Sequence, residues 1–420
     1  MLLNFSFKNF KSYAGECNFS MLAGRDNTLA RNLVEIDGKE RVSKVHIIYG
    51  ANASGKSSFI DAMKFVQKFV ADSNKLLEHM PIQVRPFKFR KNFDAVPSEF
   101  NIVFEKDGIK YVYSFSCTKE KVIEENLDVY YSAKPTKIFA RKDSNQYKFL
   151  KRDEKLLCEL KERNLPNKLF LVTAATWNYE PAKPVVEFLL NGLDVLKNIE
   201  GERGLAIAKV ASIGADDEYK KFCMSLLNNA DIGISDFNLE IKEDYGFFDN
   251  EALRAYFKAQ NRDVDDIFRR KPKTIKVMTY HEIGAEKEKY ALNIGEESLG
   301  TIRIFEYAPI LFDVLKNGKV LFIDEIDRSL HPLLVKHLVK IFLNEKTNPN
   351  GAQLIANTHD TNLLDLDLLR RDEIWFAARD DKTGSTEMYP LSDFSPRKTE
   401  NVEKAYLLGR YGAVPFIAED

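Results

Sequence analysis

Residues 45–70 read VHIIYGANASGKSSFIDAMKFVQKFV, and this stretch decides the fold. Its first five residues form an apolar run that predicts a buried strand. Beyond residue 55, apolar side chains recur at helical spacing and predict an amphipathic helix that buries Phe59, Met63, Val66 and Val70. The turn between the two matches the pattern G-x-x-x-x-G-K-[ST] in full. A strand, a glycine-rich turn and a helix in this order predict a nucleotide-binding loop.

The residue types of this turn suit a phosphate ligand. Gly50 and Gly55 let the backbone curl so that successive N–H groups point at phosphate oxygens. The start of the helix adds unpaired donors and the positive end of its dipole. Lys56 would reach the β- and γ-phosphates of ATP, and the Ser57 hydroxyl would bind Mg²⁺. We therefore predict that ATP and Mg²⁺ are bound by Gly50, Ala51, Asn52, Ala53, Ser54, Gly55, Lys56, Ser57 and Ser58.

Composition limits the class of protein. The chain has 420 residues, which allows two or three domains, and 44% of them are hydrophobic. Its 62 basic and 63 acidic residues give a net charge of −1, so any contact with nucleic acid needs a local patch. Four widely spaced cysteines argue against a zinc site or a disulfide scaffold. No apolar run has the length of a membrane span, and the first residues do not resemble a signal peptide. We expect a cytoplasmic protein without membrane contact.

An acidic motif follows later in the chain. Residues 319–327 read KVLFIDEID, in which four apolar residues precede Asp324 and Glu325. This pattern is typical of a Walker B strand, a buried parallel strand whose carboxyl end presents two carboxylates to the ligand crevice. Asp324 is predicted to hold Mg²⁺, and Glu325 is predicted to polarise the attacking water.

Two further stretches bear on the class of P-loop ATPase. Residues 354–360 read LIANTHD and end a predicted strand in His359, which would sense the γ-phosphate and act with Glu325 in catalysis. Ser298 and Gly300 lie in the segment ESLGT ahead of a predicted helix, and a Ser-x-Gly turn at a helix N-terminus is an anion site. This turn comes too late in the chain to complete its own P-loop pocket.

Together these four motifs resemble the head of ABC-type ATPases. The resemblance implies an α/β fold, an ABC-type P-loop ATPase head with a mixed sheet as in RecF and SMC proteins. An antiparallel β subdomain and a helical insert would complete it. The resemblance also implies a head-to-tail dimer, or a higher homo-oligomer, in which ATP is sandwiched between subunits. In such an assembly, Ser298 and Gly300 of one subunit cover the nucleotide on the P-loop of another.

The resemblance narrows to the AAA-type, ABC-like ATPases of bacterial phage-defence and abortive-infection systems, of the RloA or AbiL type and like the AriA sensor ATPase of PARIS systems. It covers residues 1–110 and 290–420. The segments that carry it are GEESLGTIRIFEYAPIL, VLFIDEIDRSLHPLLVKHLVKIF, AQLIANTHDTNLLD and EKAYLLGRYGAVPFI. His331 departs from the transporter pattern and either contacts another subunit or begins a helix. Gln83 is the best candidate for a Q-loop, and Lys11 and Ser12 are candidates for approaching the nucleotide.

Changes of hydrophobic period predict three parts. Residues 1–150 form an ATPase lobe with the Walker A motif and a β-meander, residues 151–285 a helical insert with one helix over 183–199, and residues 286–420 a second ATPase lobe. The basic cluster at 269–273 is either a loop at a domain edge or a contact for a phosphate backbone. The meander presents either a solvated strand face or a surface for nucleic acid or a partner, with the basic residues Lys134, Lys137, Arg141, Lys142 and Lys148.

The family resemblance implies an ATPase that acts as a sensor or scaffold in anti-phage defence, with DNA or a phage protein as its trigger. The 61 residues after His359 are too few for a fused Toprim nuclease, so we expect a separate effector protein, a nuclease. The alternative is a RecF-like DNA repair or maintenance ATPase that clamps DNA. A guanine-nucleotide switch is disfavoured because the sequence has no Asn-Lys-x-Asp segment.

Overall fold

The computed structural model describes residues 1–36, 38, 40–197, 206, 209–210, 212–213, 216–229, 233–243 and 273–414. The chain divides into two units. The first comprises Met1–Asn198, Val314–Arg328 and Val335–Asp420, and the second comprises Ile199–Asp313 and Ser329–Leu334. The predicted helical insert is therefore divided between the units, because its first helices belong to the first unit.

The described residues form eighteen strands and eight α-helices. The strands are β1 Leu2–Phe10, β2 Tyr13–Ser20, β3 Leu33–Ile36, β4 Glu40–Ser43, β5 Val45–Tyr49, β6 Ser98–Lys106, β7 Ile109–Cys117, β8 Val122–Tyr130, β9 Thr136–Lys142, β10 Gln146–Phe149, β11 Leu193–Leu196, β12 Ile234–Glu243, β13 Lys273–Ile283, β14 Glu288–Asn293, β15 Val320–Ile323, β16 Gln353–Asn357, β17 Ile374–Arg379 and β18 Thr386–Pro390. The helices are α1 Lys56–Asp72, α2 Glu154–Lys161, α3 Phe170–Thr176, α4 Lys183–Asn191, α5 Asp217–Asn229, α6 Leu299–Lys316, α7 Pro332–Leu343 and α8 Val402–Leu407.

A seven-stranded antiparallel sheet forms one layer of the first unit, in the order β10-β9-β8-β7-β6-β1-β2. Its strands alternate buried and more exposed side chains, as the period of two predicts. Asp107 and Gly108 join β6 to β7 with φ of 54° and 76°. Positive φ at both central residues is the requirement of a tight hairpin turn, and Asp-Gly meets it. The predicted β-meander is confirmed, and Asp107-Gly108 makes a hairpin of β6 and β7.

The meander does not present all of its basic residues to solvent. Lys142 and Lys148 are exposed. Arg141, however, is only 1% exposed, and its guanidinium donates to the carbonyl groups of Ser144, Pro166 and Lys168. The prediction that Arg141 contributes to a basic surface is wrong, because its guanidinium is buried and forms its hydrogen bonds inside the fold.

A six-stranded sheet forms the second layer, in the order β11-β15-β16-β5-β17-β18. Its first five strands are parallel and β18 is antiparallel. Every residue of β5, β15 and β16 is buried, as expected for parallel strands covered on both faces. The predicted helix over 183–199 is wrong beyond Asn191, because Leu193–Leu196 pair with β15 as an edge strand. A short apolar run does not by itself distinguish the two structures.

Helix α1 lies between the two sheets and joins them into one core. The Phe59 ring lies 4.8 Å from that of Phe19 in the antiparallel sheet and 6.3 Å from that of Phe322 in the parallel sheet. The predicted buried face is confirmed, since Phe59, Met63, Val66 and Val70 are all buried. Removing the Phe59 ring would lower the free energy of unfolding by roughly 3–5 kcal/mol, the usual range for a buried aromatic residue.

The second unit contains the three-stranded antiparallel sheet β12-β13-β14 and helices α5 and most of α6. The Phe237 ring contacts that of Phe305, and the Tyr219 ring contacts that of Phe312. Residues 274–282, TIKVMTYHE, have the pattern of a strand and lie in β13, which confirms that prediction. Residues 250–260, NEALRAYFKAQ, have the pattern of a helix, but they and residues 269–272 of the basic cluster lie outside the described residues. Within the described ranges, no helix combines the length and apolar character needed to cross a bilayer.

Candidate nucleotide site

The loop between β5 and α1 has the backbone that its glycines predict. Gly50 and Gly55 have φ of 155° and 108°, and Ala53 has φ of 62°. A Cβ atom at Gly50 would collide with the carbonyl oxygen of Ala377, and one at Gly55 would collide with the Thr386 side chain. Because side chains are excluded at both positions, the loop is a backbone cradle of a size and polarity that suits phosphate.

Lys56 lies inside this cradle. Its side chain is 6% exposed, and Nζ donates to the carbonyl oxygens of Gly50 (2.7 Å) and Ala51 (3.0 Å). Burial lowers the pKa of the Lys56 ammonium from its ordinary value, while the Asp324 carboxylate acts in the opposite direction. The Ser54 hydroxyl is also buried and has no hydrogen-bond partner among the described residues. A phosphate ligand would meet both groups.

The Walker B carboxylate lies beside the start of α1. Ser57 Oγ donates to Asp324 Oδ1 at 2.9 Å, although 267 positions separate these residues in the chain. A hydroxyl and a carboxylate are the hard oxygen ligands that Mg²⁺ prefers, so the predicted metal pair fits that ion. The strand order brings this about, because β16 separates β15 from β5 and the carboxyl ends of all three strands lie at one edge.

Asn357 is a site residue that sequence reasoning missed. Its side chain is completely buried at the end of β16. Nδ2 donates to Asp324 Oδ1 at 2.6 Å, and Oδ1 accepts the backbone N–H of Glu325 at 2.7 Å. The available signal was an amide at the end of an otherwise apolar strand, two residues before His359.

The two predicted catalytic side chains lie at the same edge of the sheet. Glu325 has φ of 55°, and its carboxylate is 45% exposed, 3.6 Å from the Arg328 guanidinium. His359 follows β16 with an exposed side chain, and its backbone N–H donates to Asp327 at 3.2 Å. Both side chains are accessible to solvent, and their catalytic roles stay predictions.

Strand β18 and the turn between β1 and β2 support the cradle from the other side. The Thr386 hydroxyl donates to the Ser54 carbonyl at 2.8 Å and lies 2.9 Å from the Ser12 hydroxyl. The Lys11 ammonium pairs with Asp61 on α1. Ser12 therefore reaches the loop through Thr386. Contacts of Lys11 and Ser12 with a nucleotide stay predictions.

Ser298 and Gly300 belong to the second unit. Ser298 Oγ accepts the backbone N–H of Thr301 at 3.2 Å and so caps α6, which begins directly after it. The predicted position ahead of a helix is confirmed, whereas the contact with ATP stays a prediction. His331 Nδ1 accepts the N–H of Leu333 at 3.3 Å, as its helix-starting interpretation expects. The Gln83 amide donates to the Pro81 carbonyl, and its Q-loop role stays untested.

Comparison with known proteins gives one family. A family model described as "AAA domain, putative AbiEii toxin, Type IV TA system" matches residues 45–365, which include both Walker motifs and His359. No curated protein matches the chain.

Two solved structures are similar at low identity. The SMC head domain from Thermotoga maritima is 14% identical with a TM-score of 0.42, and the match covers 93% of this chain and 98% of that one. An SmcHead bound to the C-winged helix domain of ScpA is 13% identical with a TM-score of 0.42, covering 93% and 97%.

Proposed function

The chain belongs to this AAA domain family, and we propose that it binds ATP with Mg²⁺ and hydrolyses it to ADP and phosphate. One observation carries the proposal. Lys56 and Ser57 at the start of α1 and the pair Asp324–Glu325 directly after β15 lie at one edge of the parallel sheet. P-loop ATPases need this set of groups, because phosphoryl transfer is catalysed mainly by positioning and by charge.

Each residue has a separate task in the proposed reaction. The cradle and Lys56 would bind the β- and γ-phosphates, while Ser57 and Asp324 would hold Mg²⁺, which neutralises phosphate charge when bound. Asn357 fixes the orientation of the Asp324 carboxylate. The Glu325 carboxylate would accept a proton from the attacking water, and His359 would contact the γ-phosphate.

We further propose that the enzyme works as a sensor or scaffold in anti-phage defence. ATP would be sandwiched between two copies, with the Ser298–Gly300 turn of one copy over the P-loop of the other. Support comes from the position of Ser298 at the start of an eighteen-residue helix, where backbone donors and the dipole favour an anion. The family description names a toxin–antitoxin system, which supports a partner protein on a separate chain. The family resemblance of the sequence motifs extends this proposal to a nuclease effector that is released by DNA or a phage protein.

The first test is hydrolysis by Lys56→Ala. The substitution removes the positive charge that would face the β- and γ-phosphates. We therefore expect turnover to fall on the order of 100-fold or more. Lys68→Ala is the matched control, because Lys68 is an exposed lysine on the same helix. This variant should hydrolyse ATP at the wild-type rate. Equal turnover in both variants would mean that Lys56 is not part of a site that hydrolyses ATP.

The second test concerns the shared site. Glu325→Gln should bind ATP and hydrolyse it slowly, which would accumulate an ATP-closed assembly. Light scattering should then show a mass at least double that of the monomer when ATP and Mg²⁺ are added. Adding Ser298→Ala to this variant should reduce the assembly while each subunit still binds ATP through its own P-loop. A monomer saturated with ATP would contradict the sandwich.

A further inference from the structure

The loop between α1 and β6 contains a basic stretch that the nucleotide site does not use. Residues 85–91 read RPFKFRK, with four basic side chains and no acidic one. The net charge of the whole chain is −1, so this is a local concentration of positive charge.

This loop is held in place at several points. The Phe87 ring is buried, and its backbone N–H donates to the side-chain oxygen of the fully buried Asn9. The Arg85 carbonyl accepts the Lys11 N–H at 2.7 Å, and the Arg90 guanidinium donates to the Ala14 carbonyl at 3.0 Å. Because the backbone is fixed against the β1–β2 turn, the side chains on its outer side are presented to solvent by the fold.

Phe89 is the large apolar side chain that this loop exposes. Its ring is 69% exposed, whereas Phe87 beside it is 2% exposed. The Arg379 guanidinium lies 5.8 Å from the Phe89 ring centroid, and Gly384 packs so closely that a Cβ there would lie 2.9 Å from the ring. The ring is therefore a supported, solvent-facing platform with a cation at its face.

Three exposed cations lie in the same loop as Phe89, and a fourth, Arg379, contacts its ring. In the part of the chain that the structure describes, Arg85, Lys88, Lys91 and Arg379 form no ion pair. Two acids close to these residues in the chain already have partners. Asp94 pairs with Lys119 at 2.6 Å, and the Asp380 carboxylate accepts hydrogen bonds from Thr383 in its own turn. The positive charge of the loop is thus left for a ligand from solution.

We propose that this surface, residues 85–91 together with Arg379, binds single-stranded nucleic acid. A base would stack on Phe89, and the flanking phosphates would contact Arg85, Lys88 and Lys91. Stacking on an aromatic ring next to a cationic track is the common chemistry of single-strand binding without sequence preference. A duplex keeps its bases stacked internally and would leave Phe89 unused. The proposal goes beyond ATP hydrolysis and does not depend on it.

The test is fluorescence anisotropy of a labelled twenty-nucleotide thymine oligonucleotide with the full chain, without nucleotide and at several salt concentrations. Lys88→Glu combined with Lys91→Glu should weaken binding at least tenfold. It should also reduce the slope of log affinity against log salt by about 1.4, since each lost phosphate contact on a single strand contributes about 0.7. Phe89→Ala should weaken binding by about five- to a hundredfold and leave the salt slope unchanged, because it removes stacking only.

The matched control is Lys142→Glu combined with Lys148→Glu, which makes the same charge change on the exposed face of the meander. This variant should bind the oligonucleotide within twofold of the wild type. Equal weakening by both charge variants, no binding by the wild type, or tight binding of a twenty-base-pair duplex only would each overturn the proposal. Lys56→Ala should bind the oligonucleotide normally, so a failure of the ATPase assignment is separable from a failure here. Circular dichroism verifies that every variant is folded.

Discussion

Glu125 and Asp324 are both carboxylates of the first unit, yet they differ in how far hydrogen-bond donors inside the fold occupy their oxygens. Glu125 is fully buried, and its oxygens accept the N–H groups of Phe170 (2.7 Å) and Leu171 (2.8 Å) and the Tyr113 hydroxyl (3.0 Å). The Arg141 guanidinium lies 3.7 Å away. Burial nevertheless raises the pKa of the Glu125 carboxyl, and Arg141 opposes that shift.

Asp324 is arranged differently. Two donors, Ser57 and Asn357, converge on Oδ1, while the neighbouring Glu325 carboxylate is 45% exposed. A carboxylate with all of its donors inside the fold contributes to stability. A carboxylate pair whose donors only fix its direction keeps oxygens available for a metal ion or for water, as the proposed nucleotide site requires.

The strongest test of this comparison is Arg141→Met. The substitution keeps much of the side-chain volume but removes the counter-charge of Glu125 and the donors to three carbonyl groups. Because an unpaired charge is left buried, we expect the free energy of unfolding to fall by about 3–5 kcal/mol. Urea unfolding measures this loss. ATP affinity of the protein that remains folded should be unchanged.

Lys142→Met is the matched control for that experiment, since Lys142 is the next residue and is exposed. Its free energy of unfolding should stay within about 0.5 kcal/mol of the wild type, as for most surface substitutions. A similar loss in both variants would mean that the strand, and not the buried pair, is sensitive to substitution.

Asn357→Ala tests the other half of the comparison. It removes the amide that orients Asp324 and holds the Glu325 backbone. Groups that orient a metal-binding carboxylate typically contribute 10–100-fold, so we expect turnover to fall by about that factor, with a higher Mg²⁺ concentration needed for half-maximal rate. The Mg²⁺ titration separates this role from general destabilisation. An unchanged Mg²⁺ requirement together with lower stability would make Asn357 a packing residue only.

The sequence predicted the residues of the candidate nucleotide site far better than the buried pair of Glu125 and Arg141. Residues 50–58 and the pair Asp324–Glu325 carry their chemistry in local spacing, so strand, loop and helix followed from the order of residue types. Glu125 and Arg141 face each other on adjacent strands, and Glu125 also binds the start of a helix 45 positions away in the chain. Local residue spacing cannot predict such contacts. Arg141 looked like a surface charge, because a period of two does not say which face of a strand is covered. Asn357 was missed for a related reason, since its two partners lie on another strand.

Glu373 is a third carboxyl of the first unit, and burial affects its protonation. It is fully buried at the start of β17, where Asn32 and the Arg370 N–H donate to one oxygen and the other has no partner among the described residues. Burial raises its pKa to about 8 from 4.5. Between these values the folded chain keeps a proton that the unfolded chain releases. Its contribution to stability is therefore complete below the lower value and is lost as pH rises toward the upper one.

From pH 6 to pH 7, this linkage lowers the free energy of unfolding by at most about 1.4 kcal/mol. Glu373→Gln places a neutral amide where the protonated acid lies, so this part of the pH slope should vanish while the rest of the pH profile is kept. Urea unfolding at pH 5, 6, 7 and 8 on both proteins measures the difference. Diverging curves would mean that burial keeps the Glu373 carboxyl neutral in the fold. Parallel curves would mean that it is ionised in the fold, and that its two donors outweigh the cost of burying the charge.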